Sequence, residues 1–403
     1  MIITPLIIEN NKTAKELLSS VGVSREGIDI LSPKCVYSAF KIEGIKSWEA
    51  NIIKQHLLSL GSDSAIERKA LVKSVKTDTI IFGSLAQLKK LCEKLKNQPF
   101  TLKEISQSLS LYLDNLAKQE FILKARDKTI KIKKPIICGI INLTTDSFSG
   151  DGLLARARGC KLQDLVLRKI EEMAADGAAM IDIGAESSRP YSKPIMEKEE
   201  IARLTPVIRA ARKRFKEILI SVDTYKLNVA RAAAGEGVDI INDITALRKS
   251  PGIINLIKKH KLGVILMHMK KSPQTMQVNP KYKKVTEEIV DFFKERISVL
   301  NKEKINPQQI LIDPGIGFGK IAKDNLKIIN ELYKFKIFGL PIFIGLSRKS
   351  FIGKIIDKDV SDRLYGTIAS GVVAVLRGAN ILRVHDVKEN KQALDLAASI
   401  INN

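Results

Sequence analysis

Several features are scarce or missing in this 403-residue sequence. It has one tryptophan, four cysteines and no run of 18 or more apolar residues, so a membrane-spanning helix is not expected. The four cysteines, Cys35, Cys92, Cys138 and Cys160, show neither the pairing pattern of a disulfide framework nor the spacing of zinc ligands. We therefore expect reduced thiols in the core or at the surface.

The sequence also has few acidic residues for its basic ones: 44 against 67, a formal net charge of +23. The lysines are spread over both halves without a dense run or interleaved aromatic residues, which predicts neither a nucleic-acid site nor a membrane partner. A positive field would instead favour an anionic substrate. The N-terminus MIITPLIIENNK lacks the basic start and cleavage site of a secretory signal, so we expect a cytoplasmic protein.

What the sequence does contain is a repeated alternation of apolar runs and helical patterns. The run that opens GIINLTTDSFSGDG, residues 139–152, stops at Asn142 and gives way to polar residues. Seven later runs end in the same way: MIDIGAESSRP, ILISVD, VDIIND, GVILMHM, ILIDPG, PIFIGLS and NILRVHD. Eight such strands alternating with helices predict an α/β fold, a (β/α)8 TIM barrel with its active site at the carboxyl ends of the strands. Gly177, Gly237 and Gly378 each stand where a helix is expected to end and a strand to begin.

Residues 1–125 contain none of this alternation and predict an additional small α+β or mostly helical N-terminal domain of unknown function. Thr13 with Glu16 and Thr101 with Glu104 have the spacing of capping boxes. A short strand is predicted from Thr77 to Phe82, followed by a helix capped by Ser84.

The basic segment that follows, residues 126–135, is predicted to be a linker, or alternatively a strand across the bottom of the barrel. Pro135 marks its end, and the barrel domain is predicted to cover residues 136–403.

Carboxylates and amides follow several of the predicted strands. Asp223 ends the third strand, Asn242 and Asp243 end the fourth, and Asp313 ends the sixth. Side chains of this kind that converge at a barrel mouth can accept hydrogen bonds from a planar ring with amino and imino donors. Each alone has an alternative role as a helix cap.

Other strand ends carry groups suited to an anion. Asn142 can hold a hydrated Mg2+ or a phosphate oxygen, and Arg189 beside Ser188 suits a phosphate clamp. Alone, Asn142 has the alternative role of a turn residue, and the Ser188–Arg189 loop could simply be solvated.

Basic and hydroxyl side chains follow the seventh and eighth strands. Arg383 and His385 share one face of the last strand, a suitable position for a diphosphate, and Lys349 with Ser350 opens a helix after the seventh. The GIGFGK segment, residues 315–320, lacks dinucleotide-binding spacing and predicts a tight turn near Phe318. His268, between two methionines, is interpreted as a packed side chain.

Together these motifs resemble the dihydropteroate synthases of the pterin-binding barrel family over roughly residues 134–402. GIINLTTDSFSGDG, IDIGAESSRP, ISVDTYK, INDI, LMHMKKSPQTMQ, IDPGIGFGK, GLSRKSFIG and RVHDV occur in the family's order. The resemblance implies condensation of a 6-hydroxymethyl-dihydropterin diphosphate with para-aminobenzoate, yielding dihydropteroate and pyrophosphate in folate synthesis. It also implies Mg2+ and a homodimer.

The resemblance further implies roles for individual residues. Asp223, Asn242, Asp313 and Lys349 match the pterin pocket, and Asn142 matches the residue that holds Mg2+ and the diphosphate. The remaining matches concern the anion and aminobenzoate, with Arg189, Arg383, His385 and Lys349 expected to be catalytic, and Ser188, Phe318, Ser350 and Arg383 expected to bind substrate.

The sequence departs from the family at Thr145, Ala185 and Tyr191, while Ser188 keeps the hydroxyl of the usual threonine. Two rival functions stay open at this point. A methyltransferase acting from methyltetrahydrofolate to a corrinoid would share the acids but would have no diphosphate to bind. A non-catalytic folate-binding subunit would have no use for Asn142, Arg189 and His385.

Overall fold

In the computed structural model of the protein, the structure describes residues 2–71, 73–144, 162–187 and 194–402. The chain forms two compact units, residues 1–118 with 337–339 and residues 119–336 with 340–403. The predicted positions Thr145, Ser188, Arg189 and Tyr191 lie outside the described residues.

The first unit is an α+β arrangement built on a small antiparallel sheet. Its elements are α1 (Asn11–Ser20), α2 (Arg25–Cys35), β1 (Tyr37–Lys46), α3 (Ser47–Ser59), β2 (Asp63–Ile66), a 3-10 turn (Arg68–Leu71), β3 (Lys76–Ser84), α4 (Leu85–Lys96) and α5 (Leu102–Leu116). The sheet has the order β1–β3–β2. Its core holds apolar side chains at helical spacing on α3 and α4, including Ile53, Leu57, Leu88 and Leu91, packed with Ile81 of β3.

The helix caps of this unit agree with the sequence only in part. Ser84 caps α4, because its hydroxyl accepts a hydrogen bond from the backbone N–H of Gln87 at 3.3 Å, which confirms that prediction. The box at Thr13 is wrong, since α1 begins earlier and the side chain of Asn10 caps it. The box at Thr101 is also wrong: this residue does precede α5, but its hydroxyl donates to Glu49 and makes no capping hydrogen bond to the helix.

The second unit contains a hairpin and eight further strands that alternate with helices. The strands are β4 (Phe121–Ala125), β5 (Lys128–Ile132), β6 (Ile136–Asn142), β7 (Ala178–Gly184), β8 (Leu219–Asp223), β9 (Ile240–Asp243), β10 (Gly263–Met267), β11 (Ile310–Asp313), β12 (Phe343–Gly345) and β13 (Ile381–Val384). The helices are α6 (Leu162–Ala175), α7 (Glu197–Arg214), α8 (Leu227–Gly235), α9 (Ile253–His260), α10 (Val285–Lys302), α11 (Ala322–Asn330), α12 (Ser350–Ile356), α13 (Leu364–Leu376) and α14 (Val387–Asn402), with 3-10 turns at Pro307–Gln309, Leu332–Phe338 and Val360–Asp362.

The eight strands β6 to β13 form one parallel sheet in the order β11–β10–β9–β8–β7–β6–β13–β12. A parallel bridge between Ile312 and Ile342 joins the two outer strands and closes the sheet into a barrel. The (β/α)8 prediction is therefore confirmed. All the carboxyl ends of the strands lie at one end of this barrel, because the strands are parallel.

Glycine occupies three of the turns between a helix and the next strand. Gly177, Gly237 and Gly378 have φ of 97°, 97° and 112°, a region that residues with a Cβ rarely adopt. These values confirm the sequence interpretation of the three positions.

The opposite end of the barrel is closed by the β4–β5 hairpin. Phe121, Leu123, Ala125 and Ile132 of the hairpin pack on one residue from each barrel strand: Cys138, Met180, Leu219, Ile240, Ile265, Leu311, Phe343 and Ile381. The segment 126–135 is therefore part of the barrel unit and not a linker, and the unit begins at residue 119 rather than after residue 125. The alternative of a strand across the barrel bottom describes the structure, because alternate apolar residues of the hairpin cover the exposed barrel core.

Asp239 ties the loop before β9 to the hairpin and to α7. It is fully buried, accepts from the backbone N–H of Ile220 at 2.8 Å, and pairs with Lys128 and Arg212. Arg126 of the hairpin turn donates to the carbonyl oxygens of Val238 and Ala234. Nowhere in the described part of the chain is a helix both long and apolar enough to span a membrane.

Candidate active site

Two buried acids and an arginine form the floor of the barrel mouth. Arg383 donates from Nε to Asp182 Oδ2 at 2.7 Å and from Nη2 to Asp223 Oδ2 at 3.2 Å. The Asp182 side chain is completely buried, whereas those of Asp223 and Arg383 are partly open. Asn242 of β9 joins this group, because its amide nitrogen donates to Asp182 Oδ2 at 2.9 Å.

Some buried oxygen atoms of this floor have no hydrogen-bond partner among the described residues. They are Asp182 Oδ1, Asn242 Oδ1 and the hydroxyl oxygen of Ser221. Buried polar atoms are rarely left without a partner in folded proteins, because desolvation costs about 1–3 kcal/mol each. Acceptors of this kind side by side at an active-site end indicate a ligand that supplies donors.

Burial controls the protonation of the floor. It raises the pKa of Asp223 to about 7, with a further contribution from the carboxylate of Asp182 and an opposing one from Arg383. Asp223 can therefore gain or lose a proton near neutral pH, so its charge in the site depends on pH.

Lys349 and Asp313 form a second charged group at the mouth. Burial lowers the pKa of Lys349 to about 8, an effect that Asp313 opposes. Burial also raises the pKa of Asp313, and here Lys349 is the main opposing charge. The ammonium of Lys349 donates to the carbonyl oxygen of Ile316 and lies 4.8 Å from the centre of the Phe318 ring.

Gly345 at the end of β12 brings the two groups together. A Cβ built on this glycine would lie 3.8 Å from Lys349 Nζ and 3.8 Å from Arg383 Cβ. Lys349, Arg383 and the acids around them therefore face one space. The structure thus places five of the predicted residues at one end of the barrel: Asp223, Asn242, Asp313, Lys349 and Arg383.

The GIGFGK segment forms the tight turn that its glycines predict. Gly315, Gly317 and Gly319 have φ of 69°, 82° and 68°. Lys320 is buried, and its ammonium bonds to the carbonyl oxygens of Gly315 at 2.8 Å and Phe318 at 3.0 Å. These hydrogen bonds support the turn that carries Phe318. Burial also lowers the pKa of this lysine well below its ordinary value.

His268 is a packed side chain, as its methionine neighbours predict. It is 7% exposed, its ring contacts Phe292 edge to face at 4.9 Å, and its Nδ1 lies 3.0 Å from Lys320 Nζ. Burial, followed by the charge of Lys320, holds the pKa of His268 well below its usual value. A neutral histidine tied to the lysine supports the loop instead of binding a substrate.

A cavity of about 430 Å³ lies between α6 and the ends of β6 and β13. Its wall includes Asn142, Arg348, His385 and Asp386 on one side and Leu165, Arg168, Lys169, Glu172 and Met173 of α6 on the other. His385 Nδ1 lies 2.9 Å from the hydroxyl of Ser347, which also accepts from the His385 backbone N–H at 3.3 Å. Arg348 pairs with Asp386 through two hydrogen bonds of 3.1 Å and 2.5 Å. These contacts fix the histidine at the wall of this cavity.

The described residues contain no group of three or more acids, histidines or cysteines that could hold a metal by themselves. Asn142, the last residue of β6, is a neutral oxygen donor at the cavity wall. One such ligand fits a Mg2+ that keeps its waters and binds mainly through substrate phosphate oxygens.

Other predicted residues are not part of this group. Asp243 turns back to its own loop, where it accepts from the backbone N–H groups of Thr245 at 2.6 Å and Leu247 at 3.0 Å. It therefore holds this loop and does not cap a helix, since the next helix begins only at Ile253. Ser350 begins α12 and is exposed. The catalytic role predicted for Arg189 and the binding role predicted for Ser188 fall outside the described residues.

The structure adds Asp182, which the sequence did not single out, and gives Ser347, predicted only to help open the helix after the seventh strand, a partner in His385. Asp182 lies inside β7 rather than at its end, and Ser347 follows β12. A carboxylate inside the apolar run AAMIDIG was the available signal for Asp182, since an unpaired acid is rarely buried. No pattern in the sequence distinguishes Ser347 from a loop serine, because its partner His385 lies 38 residues away.

Comparison with known proteins agrees with this geometry. Residues 138–385 match the pterin binding enzyme family. Dihydropteroate synthase of Haemophilus influenzae is 40% identical over 280 residues, which are 70% of this chain and 99% of that protein. A protein of Helicobacter pylori, named bifunctional dihydropteroate synthase/dihydropteroate reductase, is 33% identical over 394 residues, 97% of each chain.

The barrel also superimposes on the crystal structure of Yersinia pestis dihydropteroate synthase with a sulfonamide drug complex. The TM-score is 0.66 at 36% identity, and the match covers 70% of this chain and all of the other. The chain therefore belongs to the pterin binding enzyme family, and within it to the dihydropteroate synthases, transferases of folate biosynthesis.

Proposed function

We propose that this dihydropteroate synthase binds the dihydropterin ring on the floor formed by Asp182, Asp223 and Asn242, with Asp313 and Lys349 at its edge. The observation that carries the assignment is the set of buried acceptor atoms without partners beside Arg383. A pterin ring presents amino and imino donors along one edge and would satisfy them. Phe318, whose ring lies under the ammonium of Lys349, offers an apolar surface to the ring system.

The diphosphate would then lie toward Asn142 and His385. The reaction breaks the bond between the pterin CH2 group and the diphosphate, and the aminobenzoate nitrogen forms the new bond to that carbon and releases one proton. The leaving diphosphate carries negative charge, which positive groups and hydrogen-bond donors stabilise, whereas the carbon left behind is electron-poor. We therefore propose a dissociative, SN1-like displacement, with Asp223 and Asp313 stabilising the positive ring and His385, Lys349, Arg383 and Arg189 stabilising the leaving group.

The contacts of Arg383 limit its share of that work. Two of its three guanidinium nitrogens already bond to Asp182 and Asp223, which leaves Nη1 for an anion. Ser350 and Ser188 are proposed to contact the aminobenzoate side on the strength of the resemblance alone. Mg2+, held by Asn142 and the substrate's own phosphate oxygens, would supply further neutralisation of the diphosphate.

An assay with the purified protein, Mg2+, the dihydropterin diphosphate and labelled aminobenzoate tests these roles. His385→Ala and Arg189→Ala should each lower kcat about a hundredfold, the usual effect of losing one donor to departing charge. Turnover within a few-fold of the unmodified protein would show that neither residue stabilises the leaving group. Sulfonamides should compete with aminobenzoate, and inhibition that aminobenzoate cannot relieve would contradict a shared pocket.

We also propose that the barrel forms a homodimer through the outer face of α13. This helix exposes Tyr365 at 81%, Val373 at 45% and Leu376 at 57%, and the neighbouring α14 exposes Leu396 at 64%. Several large exposed apolar side chains on one helix and its neighbour are typical of an interaction surface. Val373→Glu should therefore convert a dimer to a monomer in sedimentation experiments; an unchanged mass for the variant, or a monomeric parent, would contradict the interface.

For the N-terminal unit we propose a dihydropteroate reductase activity. The supporting observation is that the Helicobacter pylori protein of that name matches 97% of this chain, a range that includes the unit. The reaction would transfer a hydride from a reduced nicotinamide and a proton from water to the C=N bond of dihydropteroate, leaving tetrahydropteroate and the oxidised nicotinamide.

The full chain should oxidise reduced nicotinamide only when dihydropteroate is present. His385→Ala should keep this oxidation while losing the synthase reaction, because His385 lies in the barrel unit. Oxidation at the same rate without dihydropteroate, or none at all, would refute the second activity.

The cytoplasmic location expected from the sequence stays a prediction.

A further inference from the structure

We propose that Asp182 is a positioning residue that fixes the side-chain amide of Asn242 with its oxygen turned toward the ligand. The inference deepens the pterin pocket proposed above and rests on it. It assigns to the floor of the site a preference for a ring edge that donates hydrogen bonds.

The geometry allows one orientation of the amide. Asn242 Nδ2 lies 2.9 Å from Asp182 Oδ2, which also accepts from Arg383 Nε at 2.7 Å. This carboxylate oxygen accepts both hydrogen bonds, one of them from a guanidinium, which can only donate. Rotating the amide by half a turn would set its oxygen against the carboxylate oxygen, so Nδ2 must face Asp182.

The oxygen of the same amide is then fixed on the opposite side. Asn242 is 4% exposed and its Oδ1 has no hydrogen-bond partner among the described residues, and the same is true of Asp182 Oδ1. Asn242 is adjacent to Asp223 in the register of β8 and β9, so the two residues form a row of acceptors at the carboxyl ends of these strands.

A row of acceptors selects among ring systems. A ligand edge with N–H groups satisfies Asn242 Oδ1 and Asp223, whereas an edge with a carbonyl or an unprotonated nitrogen would bring lone pairs together. Discrimination by a buried unmatched polar group is large, because the group loses water without gaining a partner. Asp182 sets this polarity, although its Oδ2 atom already has its partners within the protein.

An exchange of the two side chains tests the proposal. Asp182→Asn removes the fixed acceptor, so the amide of Asn242 can turn either way, and binding of 6-hydroxymethylpterin should weaken at least about tenfold. In the double variant Asp182→Asn with Asn242→Asp, the new amide can donate to the new carboxylate, whose second oxygen again faces the ligand. This double variant should recover binding to within about threefold of the original.

Asp223→Asn is the matched control for the charge balance around Arg383. It removes the other carboxylate partner of Arg383 but leaves the Asp182–Asn242 contact in place. Binding of 6-hydroxymethylpterin alone is measured by calorimetry, and thermal unfolding of each variant shows whether it has folded. Asp223→Asn combined with Asn242→Asp should show no comparable recovery.

Three results would overturn the proposal. Asp182→Asn could bind the pterin as tightly as the original protein, or the exchanged pair could fold normally without recovering affinity, which would limit Asp182 to a partner of Arg383. Recovery with Asp223→Asn as large as with Asp182→Asn would show that only total charge matters. Unchanged binding by Asn242→Ala would instead refute the pterin pocket itself, so the two failures are distinguishable.

Discussion

At the scale of single residues, burial at the barrel mouth brings the pKa values of one acid and one base close to neutral pH. It raises the pKa of Asp223 to about 7 and lowers that of Lys349 to about 8. The acid and the base are therefore both ionised only over a narrow range. Both pKa shifts are caused mainly by loss of contact with water, and the same loss would strengthen polar contacts to a bound ring.

This predicts a bell-shaped pH profile for kcat/KM. Activity should rise with pH as Asp223 loses its proton near pH 7, and should fall as Lys349 loses its proton near pH 8. Asp223→Asn should remove the acidic limb, and Lys349→Arg should remove the basic limb, both with a lower maximum. Initial rates at subsaturating pterin diphosphate give the profile. A variant that lowers the rate but keeps both limbs would show that other groups titrate.

The turn after β11 gives a second prediction at this scale. Gly315 has a φ of 69°, and a Cβ added there would lie 2.0 Å from the backbone oxygen of His268. Because backbone cannot move aside as a flexible side chain can, Gly315→Ala should destabilise the barrel by more than about 3 kcal/mol and lower pterin binding. Urea unfolding measures the loss.

Gly235→Ala is the matched control for this change. A Cβ at Gly235, the last residue of α8, would meet nothing within 4 Å. It should be neutral or stabilise the protein by up to about 1 kcal/mol. Equal effects of the two substitutions would refute the steric explanation.

How far the sequence could identify these residues depends on where they lie in their strands. Asp223, Asn242 and Asp313 end their apolar runs, so the barrel rule alone brings them to one end. Asp182 lies within its run, and its bond to Arg383, 201 positions away, forms only in the folded barrel. Asp243 ends its run as well, but hydrogen bonds within its own loop decide its role.

At the scale of elements, one largely buried lysine joins the loop after β7, helix α7 and the segment that follows β8. Lys226 Nζ bonds to Glu186 at 2.5 Å, to Glu200 at 2.7 Å and to the carbonyl oxygen of Ile195 at 2.7 Å. Glu200 is 1% exposed, and burial raises its pKa. Two carboxylates therefore share one positive charge in a poorly hydrated place.

Lys226→Met should destabilise the protein by about 3–5 kcal/mol, because both carboxylates would lose their ionic partner. The loss should be smaller at pH 5 than at pH 8, since protonation of Glu200, whose pKa is already raised, removes its unpaired charge. Urea unfolding at the two pH values measures both effects. Lys169→Met is the control: its pair with Glu172 is exposed at 44% and 63%, and its loss should cost less than about 1 kcal/mol. Equal losses for the two lysines would contradict the role of burial.

Elements also differ in how well the sequence predicts them. The eight barrel strands are apolar runs buried on both faces, so they can be recognised in the sequence without knowledge of their tertiary contacts. The hairpin strands β4 and β5 have basic residues between their apolar ones, such as Lys124 and Lys131, and so resemble a linker. Only the barrel core beneath them, which Leu123 and Ile132 cover, explains why they form strands.

At the scale of the whole molecule, the position of the hairpin decides where the chain can be divided. The barrel unit begins at residue 119, and the side chains of β4 that face the barrel, Phe121, Leu123 and Ala125, are 1–8% exposed. A chain that starts at residue 119 keeps the barrel's lower closure, whereas one that starts at residue 126 loses Phe121, Leu123 and Ala125 from it.

The two truncations should therefore behave differently, although they differ by seven residues. Removal of a buried phenylalanine costs about 3–5 kcal/mol, and Leu123 adds a similar amount; together these approach the full stability of an ordinary domain. The chain 119–403 should keep a cooperative thermal transition and synthase activity, and the chain 126–403 should aggregate or unfold below physiological temperature. Calorimetry and the aminobenzoate assay compare them, with Leu123→Ala in the full chain as an intermediate case. If both truncations melted at the same temperature, the hairpin would not close the barrel core, and residue 125 would be the better boundary after all.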